Sequence, residues 1–230
     1  MKKGILTLTV ATLSSLILLG CNSDSNNDTE TTDTTTGDTL ILTSNGMISS
    51  IDRAMPNKII SNLKVTGLQA GDELVGIDYR PKDSKLYAVG FMGNIYTLNP
   101  STGVATFVKK LIAEPTDTTD GNAAFSTILG DANLITVNFN PVADRLRVIT
   151  NTGQNLRINV DTGATITDGA INLAAGSATV VAGAYTNAFA GTSSTKLYSI
   201  DQNSDRVYLQ NANAGTLGSS AVLGADINTN

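Results

Sequence analysis

Two arginines carry the most distinctive chemistry in this chain. Arg147 and Arg157 lie in RLRVITNTGQNLRINVDTG, on either side of Asn151-Thr152-Gly153. Leu146 and Val148 share one face of an extended strand, and Leu156 and Ile158 share one face of the next. Matching those faces sets Leu146 against Ile158 and Val148 against Leu156. The same register puts Arg147 opposite Arg157 on the other face, with Asn155 opposite Ile149 and Arg145 opposite Asn159. Like charges directly opposed weaken a strand pair unless something offsets them. One reading is structural: Asp144, Asp161 or a neighbouring unit's carboxylate neutralises the pair. The other is functional: the planar guanidinium forks receive an anion or the carboxylate of a partner. The candidate set for that site is Arg145, Arg147, Asn151, Gln154, Asn155 and Arg157.

A second, weaker signal is oxygen-rich. Asp117, Asp120 and Asp131 lie in or beside one long insertion, near Asn122 and Asn133. Such loops can hold calcium, but the EF-hand spacing is not met. A solvated polar loop is the plainer reading, and no metal is expected. Other chemistries lack their residues. The chain has no histidine, which removes Ser-His-Asp and Cys-His catalysis and histidine zinc sites. It has no tryptophan, which weakens a sugar-stacking surface, although six tyrosines remain. No phosphate-cradling glycine motif stands at a strand–helix junction. No spacing of paired carboxylates points to glycoside hydrolysis.

The first forty residues give an address. Met1-Lys2-Lys3 is a basic start, and an apolar stretch of about fifteen residues follows from Ile5 to Leu19, too short to span a bilayer comfortably. Leu18-Leu19-Gly20-Cys21 then looks like a lipobox. Residues 1–20 are read as a lipoprotein signal peptide and Cys21, the only cysteine, as the lipid attachment site. Asn22 in place of an aspartate favours the outer membrane or cell surface over the inner membrane. Residues 21–39 read as a disordered acidic tether of Ser, Thr, Asn and Asp. The net charge is −5. The leader adds +2 and the tether −5, leaving about −2 for residues 40–230. No basic surplus supports nucleic-acid binding.

Residues 40–230 are long enough for one domain with a sizeable core. Short alternating apolar runs are separated by Gly, Asn, Asp and Pro, which reads as all-β. The segments Gly76–Gly103 and Thr136–Gly163 align without a gap at an offset of sixty residues. Each is a strand, a turn and a strand. The first gives the same register as the second, with Leu86 opposite Leu98, Ala88 opposite Tyr96, and Gly93 closing the turn. A three-residue hairpin loop wants a left-handed third residue, and Gly93 and Gly153 supply it. Weaker copies are LYSIDQNSD and MISSID. Short strands repeated in this way indicate a β-propeller-like array. The chain stops in a composition that leads into another unit. The array is therefore expected to be truncated, open at its C-terminal end, or a small ring closed by Leu40–Thr43.

The segments GLQAGDELVGIDYRPKDSKLYAV, NFNPVADRLRVITNTGQNLRINVDTG and AYTNAFAGTSSTKLYSIDQNSDRVYLQNANAGTL together resemble the domain-of-unknown-function family numbered 4394. The resemblance covers roughly residues 40–225. It implies exported bacterial propeller-like repeats in a cell-envelope setting and implies no reaction. The sequence thus reads as a lipid-anchored envelope protein whose repeat domain is a non-enzymatic binding or assembly module. A protein or glycan is its expected partner, besides the membrane through Cys21. A carboxylate- or calcium-dependent propeller enzyme and a fragment without independent function are the alternatives.

Overall fold

The computed structural model describes residues 36–117 and 123–227. The signal segment, Cys21, most of the tether and Asp120 lie outside the described residues. Within them the regular structure is all strand, in four small sheets that form four propeller blades. Blade 1 holds β1 (Thr39–Leu42), β2 (Met47–Asp52) and β3 (Met55–Lys64). Blade 2 holds β4 (Leu74–Tyr79), β5 (Leu86–Gly90), β6 (Asn94–Leu98) and β7 (Ala105–Lys110). A short β8 (Ile112–Ala113) runs parallel to the outer strand of blade 3, which comprises β9 (Ile135–Asn140), β10 (Arg145–Thr150), β11 (Asn155–Ile158) and β12 (Ala164–Thr167). Blade 4 holds β13 (Val180–Tyr185), β14 (Leu197–Asp201), β15 (Arg206–Gln210) and β16 (Leu217–Val222).

The hairpins have the register that the leucine pattern dictates. Leu146 faces Ile158, Val148 faces Leu156, and Arg147 faces Arg157. Ala88 faces Tyr96 in blade 2. Gly93 and Gly153 close their turns at φ of 79° and 85°, in the left-handed region where a Cβ would be strained. MISSID and LYSID, the weaker copies, form β2 and β14. Leu40–Thr43 does not close the last blade. It enters blade 1 as β1, paired antiparallel with β2.

Blade faces are buried in pairs. Ile48 and Val65 of blade 1 pack on Leu86, Ala88, Tyr96 and Leu98. Tyr87, Val89 and Ile95, on the opposite face of blade 2, pack with Val137, Phe139, Leu146 and Val148. Ile149 meets Val180, Tyr185 and Leu197 of blade 4. A central strand must therefore be apolar on both sides, and β5 is buried along its whole length.

The innermost strands β4, β9 and β13 lie side by side, close enough that glycine is required. A Cβ on Gly76 would sit 2.4 Å from Val137 Cγ2. Gly76→Ala is expected to lower stability by about 1–3 kcal/mol through overpacking, read as a drop in melting temperature. The same strands are laced by one repeated bond. Asp78 Oδ2 accepts from Phe139 N at 2.6 Å and from Asn138 Nδ2 at 3.1 Å. Asn138, the sixty-residue equivalent of Asp78, passes the bond on by accepting from Tyr185 N at 2.7 Å. Ala184 holds the corresponding place in blade 4 and has no side-chain acceptor to offer.

Candidate functional site in the arginine seam

Leu146 and Val148 face blade 2, so the alternation of β10 sends Arg147 into the seam with blade 4. There it is 2% exposed. Its Nη1 donates to Asp168 Oδ2 at 2.6 Å and to Asn155 Oδ1 at 2.9 Å. Nη2 donates to Asn213 Oδ1 at 2.9 Å and Nε to the Tyr185 hydroxyl at 3.3 Å. Across the strand pair, Arg157 donates to the same carboxylate, through Nη2 at 2.9 Å and Nε at 3.0 Å. Asn155 is fully buried and donates to Gly169 O and Ala212 O, tying blade 3 to the β15–β16 turn. The opposed arginines are thus offset by the Asp168 carboxylate they share, and Asp117 adds its charge near Arg157.

The carboxylate is neither Asp144 nor Asp161. Asp168 follows β12 and is buried with its N–H on Asn155 O. Asp144 sits in the β9–β10 turn at the other seam, with a left-handed φ of 50°. The six sequence candidates separate into three groups. Arg147, Asn155 and Arg157 share the seam. Asn151 and Gln154 stand at the turn and hold the insertion: Asn151 Oδ1 accepts from Asp131 N, and the Gln154 amide bonds Thr127 O and Leu129 N. Arg145 lies at the far end of β10, donating to Asp144 O at 2.9 Å.

Two of the calcium candidates are described. Asp117 Oδ2 accepts from Thr167 N, and Asp131 Oδ1 accepts from Asn133 N and Nδ2. Among the described residues no three His, Cys, Asp or Glu side chains cluster as a metal site would need.

Two charged groups that sequence reasoning passed over prove central. Arg80, 4% exposed, clamps blade 2 to blade 3. It grips Asp144 bidentately at 2.7 and 2.6 Å and Asp161 through two bonds of 2.8 Å. The signal was a break in the repeat, since Asn140 occupies the equivalent place sixty residues on. Asp78 is the other. Burial pushes its carboxyl up from 3.8 to about 6, against the lowering effect of the Phe139 and Tyr79 N–H groups. The folded chain then holds a proton that the unfolded chain releases between about pH 4 and 6, so ionising Asp78 costs stability as pH rises through that window. Asp78→Asn keeps an oxygen for both donors and is expected to stabilise the protein by about 1–2 kcal/mol at pH 8 but not at pH 4. Melting curves at the two pH values check it.

Comparison with known proteins places this geometry in a family. The family model for the Domain of unknown function (DUF4394) matches residues 47–230. No curated protein matches the chain. Among solved structures, the Neurospora crassa Pan2 WD40 domain is similar at 12% identity and a TM-score of 0.45, over 82% of this chain and 48% of that one. A Bacteroides thetaiotaomicron protein of unknown function is similar at 16% identity and a TM-score of 0.41, over 81% and 43%. A Bacteroides caccae protein of unknown function gives 11% and 0.40, over 81% and 58%. The chain thus spans about half the length of these structures. With the family model matching from β2 through the last strand of blade 4, this chain belongs to the DUF4394 family.

Proposed function

We propose that this protein is an exported lipoprotein that presents its propeller as a non-enzymatic binding or assembly module at the outer membrane or cell surface. The observation that carries the reading is Leu18-Leu19-Gly20-Cys21 behind a basic start and a short apolar run. Several acyl chains on Cys21 would anchor it firmly, since each buried methylene adds roughly 0.8 kcal/mol. The acidic segment beyond would hold the domain clear of the lipid. The buried charges inside the domain serve the fold. Arg80, Arg147, Arg157, Asp144 and Asp168 spend their hydrogen bonds on one another and on neighbouring blades. Growth on tritiated palmitate tests the anchor. The wild-type chain should be labelled and sediment with membranes, and Cys21→Ser should carry no label. An unlabelled, soluble wild-type protein would sink the reading.

The enzyme alternative has one observation in its favour, the carboxyl of Asp78 poised near pH 6 on an inner strand. A carboxylate mechanism would need a second acid beside it, or a calcium ion held by Asp117, Asp120 or Asp131.

A further inference from the structure

Blade 1 is one strand short of the others, and the turn glycines show which strand it lacks. Gly46 closes its hairpin at a left-handed φ of 72°, as Gly93 and Gly153 close theirs. Aligning Gly46 with Gly93 sets Leu40, Ile41 and Leu42 on Tyr87, Ala88 and Val89. The pairings agree. Leu40 faces Ser50, Ile41 faces Ser49 and Leu42 faces Ile48, as Tyr87 faces Thr97, Ala88 faces Tyr96 and Val89 faces Ile95. β1 and β2 are therefore second and third strands. β3 is the outer one, because the chain leaving it pairs in parallel with blade 2 at Thr66 and Val104, as β8 pairs with β12. The first strand, which β4, β9 and β13 supply to the other blades, is missing from blade 1 among the described residues.

The edge that strand would cover is open. Thr43 N donates to Met47 O, so the bonds of β1 to β2 fall on Thr43, Ile41 and Thr39. The N–H and C=O groups of Leu40 and Leu42 point the other way, and among the described residues no strand pairs with that edge. A cleft of 140 Å³ marks one end of the space between β1 and β4, with Leu42, Thr43, Leu74 and Val75 in its lining. The flank of β4 is bare as well. Tyr79 is 47% exposed, whereas its counterparts Phe139 and Tyr185, each with an inner strand before it, are 0% and 6% exposed. Phe139 N and Tyr185 N bond side chains of that preceding strand. Tyr79 has no such strand before it.

The neighbours dictate what fits. A strand antiparallel to β1 takes the register of β4 on β5, where Gly76 faces Val89 and Asp78 faces Tyr87. Its residue opposite Leu42 would lie against Ile77 as Gly76 lies against Val137, where a Cβ has no room. Glycine is required there, because close backbone approach excludes a side chain. Blade 3 carries Thr136 at this place, and Gly183 stands beside it. Two residues on, opposite Leu40, an Asp or Asn would accept from Tyr79 N, as Asp78 and Asn138 accept from Phe139 N and Tyr185 N. Residues 22–38 have no apolar side chain with which to make such a strand.

We propose that blade 1 is completed by a strand from another polypeptide, an extended segment reading glycine, apolar, Asp or Asn, aromatic, which adds to β1 by main-chain hydrogen bonds. This rests on the binding-module reading and names its partner class, and it does not depend on the lipid anchor.

The probe is a fluorescent synthetic peptide with the sequence of residues 73–81, ELVGIDYRP, followed by anisotropy as the full-length chain in detergent is added. It should bind saturably. The peptide carrying Gly76→Thr, or Asp78→Leu, should bind about tenfold more weakly or worse. Against a protein carrying Ile77→Gly, which reproduces the pairing of Thr136 with Gly183, the threonine peptide should recover to within about threefold of the parent peptide. Hydrogen exchange locates the strand, since the Leu40 and Leu42 amides should pass from fast exchange to protection when the parent peptide is bound. The proposal is overturned if the parent peptide does not saturate, if the threonine peptide binds wild type as tightly, or if Leu40 and Leu42 stay unprotected in the complex. Protection of both amides before any peptide is added overturns it too, because the chain's own ends or a second copy would then fill the edge. Failure of the anchor reads out separately, as loss of the palmitate label with peptide binding intact.

Discussion

Asp168→Asn should melt about 10 °C below the wild-type protein. The side chain of Asp168 is 1% exposed and that of Arg147 2%, so water cannot replace what the substitution removes. An asparagine offers one neutral oxygen where the carboxylate gave two charged ones to both arginines. Breaking a buried ion pair from one side leaves an uncompensated charge and costs about 3–5 kcal/mol. For a domain of this size each kcal/mol moves the midpoint by about 2–4 °C. Coupling gives a sharper check. In an Arg147→Met, Arg157→Met background the same substitution should cost little, because no stranded cation remains. A midpoint within 2 °C of wild type for the single variant would show that the network does not hold the seam.

Arg80→Met is the second large effect, about 2–3 kcal/mol at pH 7. It is the smaller because the carboxylates it strands are partly solvated, with side-chain exposures of 24% for Asp144 and 55% for Asp161. The diagnostic is the pH dependence. Hydrogen bonds from Arg80 hold both carboxyls below the ordinary 3.8. Depressed values mean that the unfolded chain takes up protons first on acidification. The stabilisation is therefore whole above about pH 4 and is lost as pH falls through the folded values. Wild type should lose stability steeply on that limb and Arg80→Met should lose little. Parallel acid limbs in urea titrations would contradict the clamp.

Hairpin register was legible because two local rules agree on it. The pleat assigns Leu146 and Leu156 to one face, and a left-handed glycine fixes the loop length between them. That logic also put Arg147 opposite Arg157. It could not find their counter-charge. Asp168 reaches them only through the course of the chain beyond β12, where no period applies. Arg80 meets Asp144 and Asp161 across sequence separations of 64 and 81 residues, which a local pattern does not encode. Asp144 and Asp161 were reasonable partners for Arg147 by proximity in sequence. The pleat of β10, with Leu146 toward blade 2 and Arg147 toward blade 4, put them at the opposite seam. The six candidates do not lie together, for a related reason. A strand separates its two ends, so Arg145 and the Asn151–Gln154 turn cannot share a pocket.

The three seams are built from different chemistry. Blades 1 and 2 meet through apolar side chains. Blades 2 and 3 add a clamp with partly wetted acids, and blades 3 and 4 a dry arginine–aspartate knot. Stacked units that touch only their neighbours come apart at their weakest junction. Here the weakest junction is not a fixed place but is chosen by the surroundings. Acid below about pH 4 attacks the clamp of the middle seam, and cooling weakens the apolar seam most. A protease would then release different fragments from the same chain in different media. The fracture pattern would record which condition the chain had met.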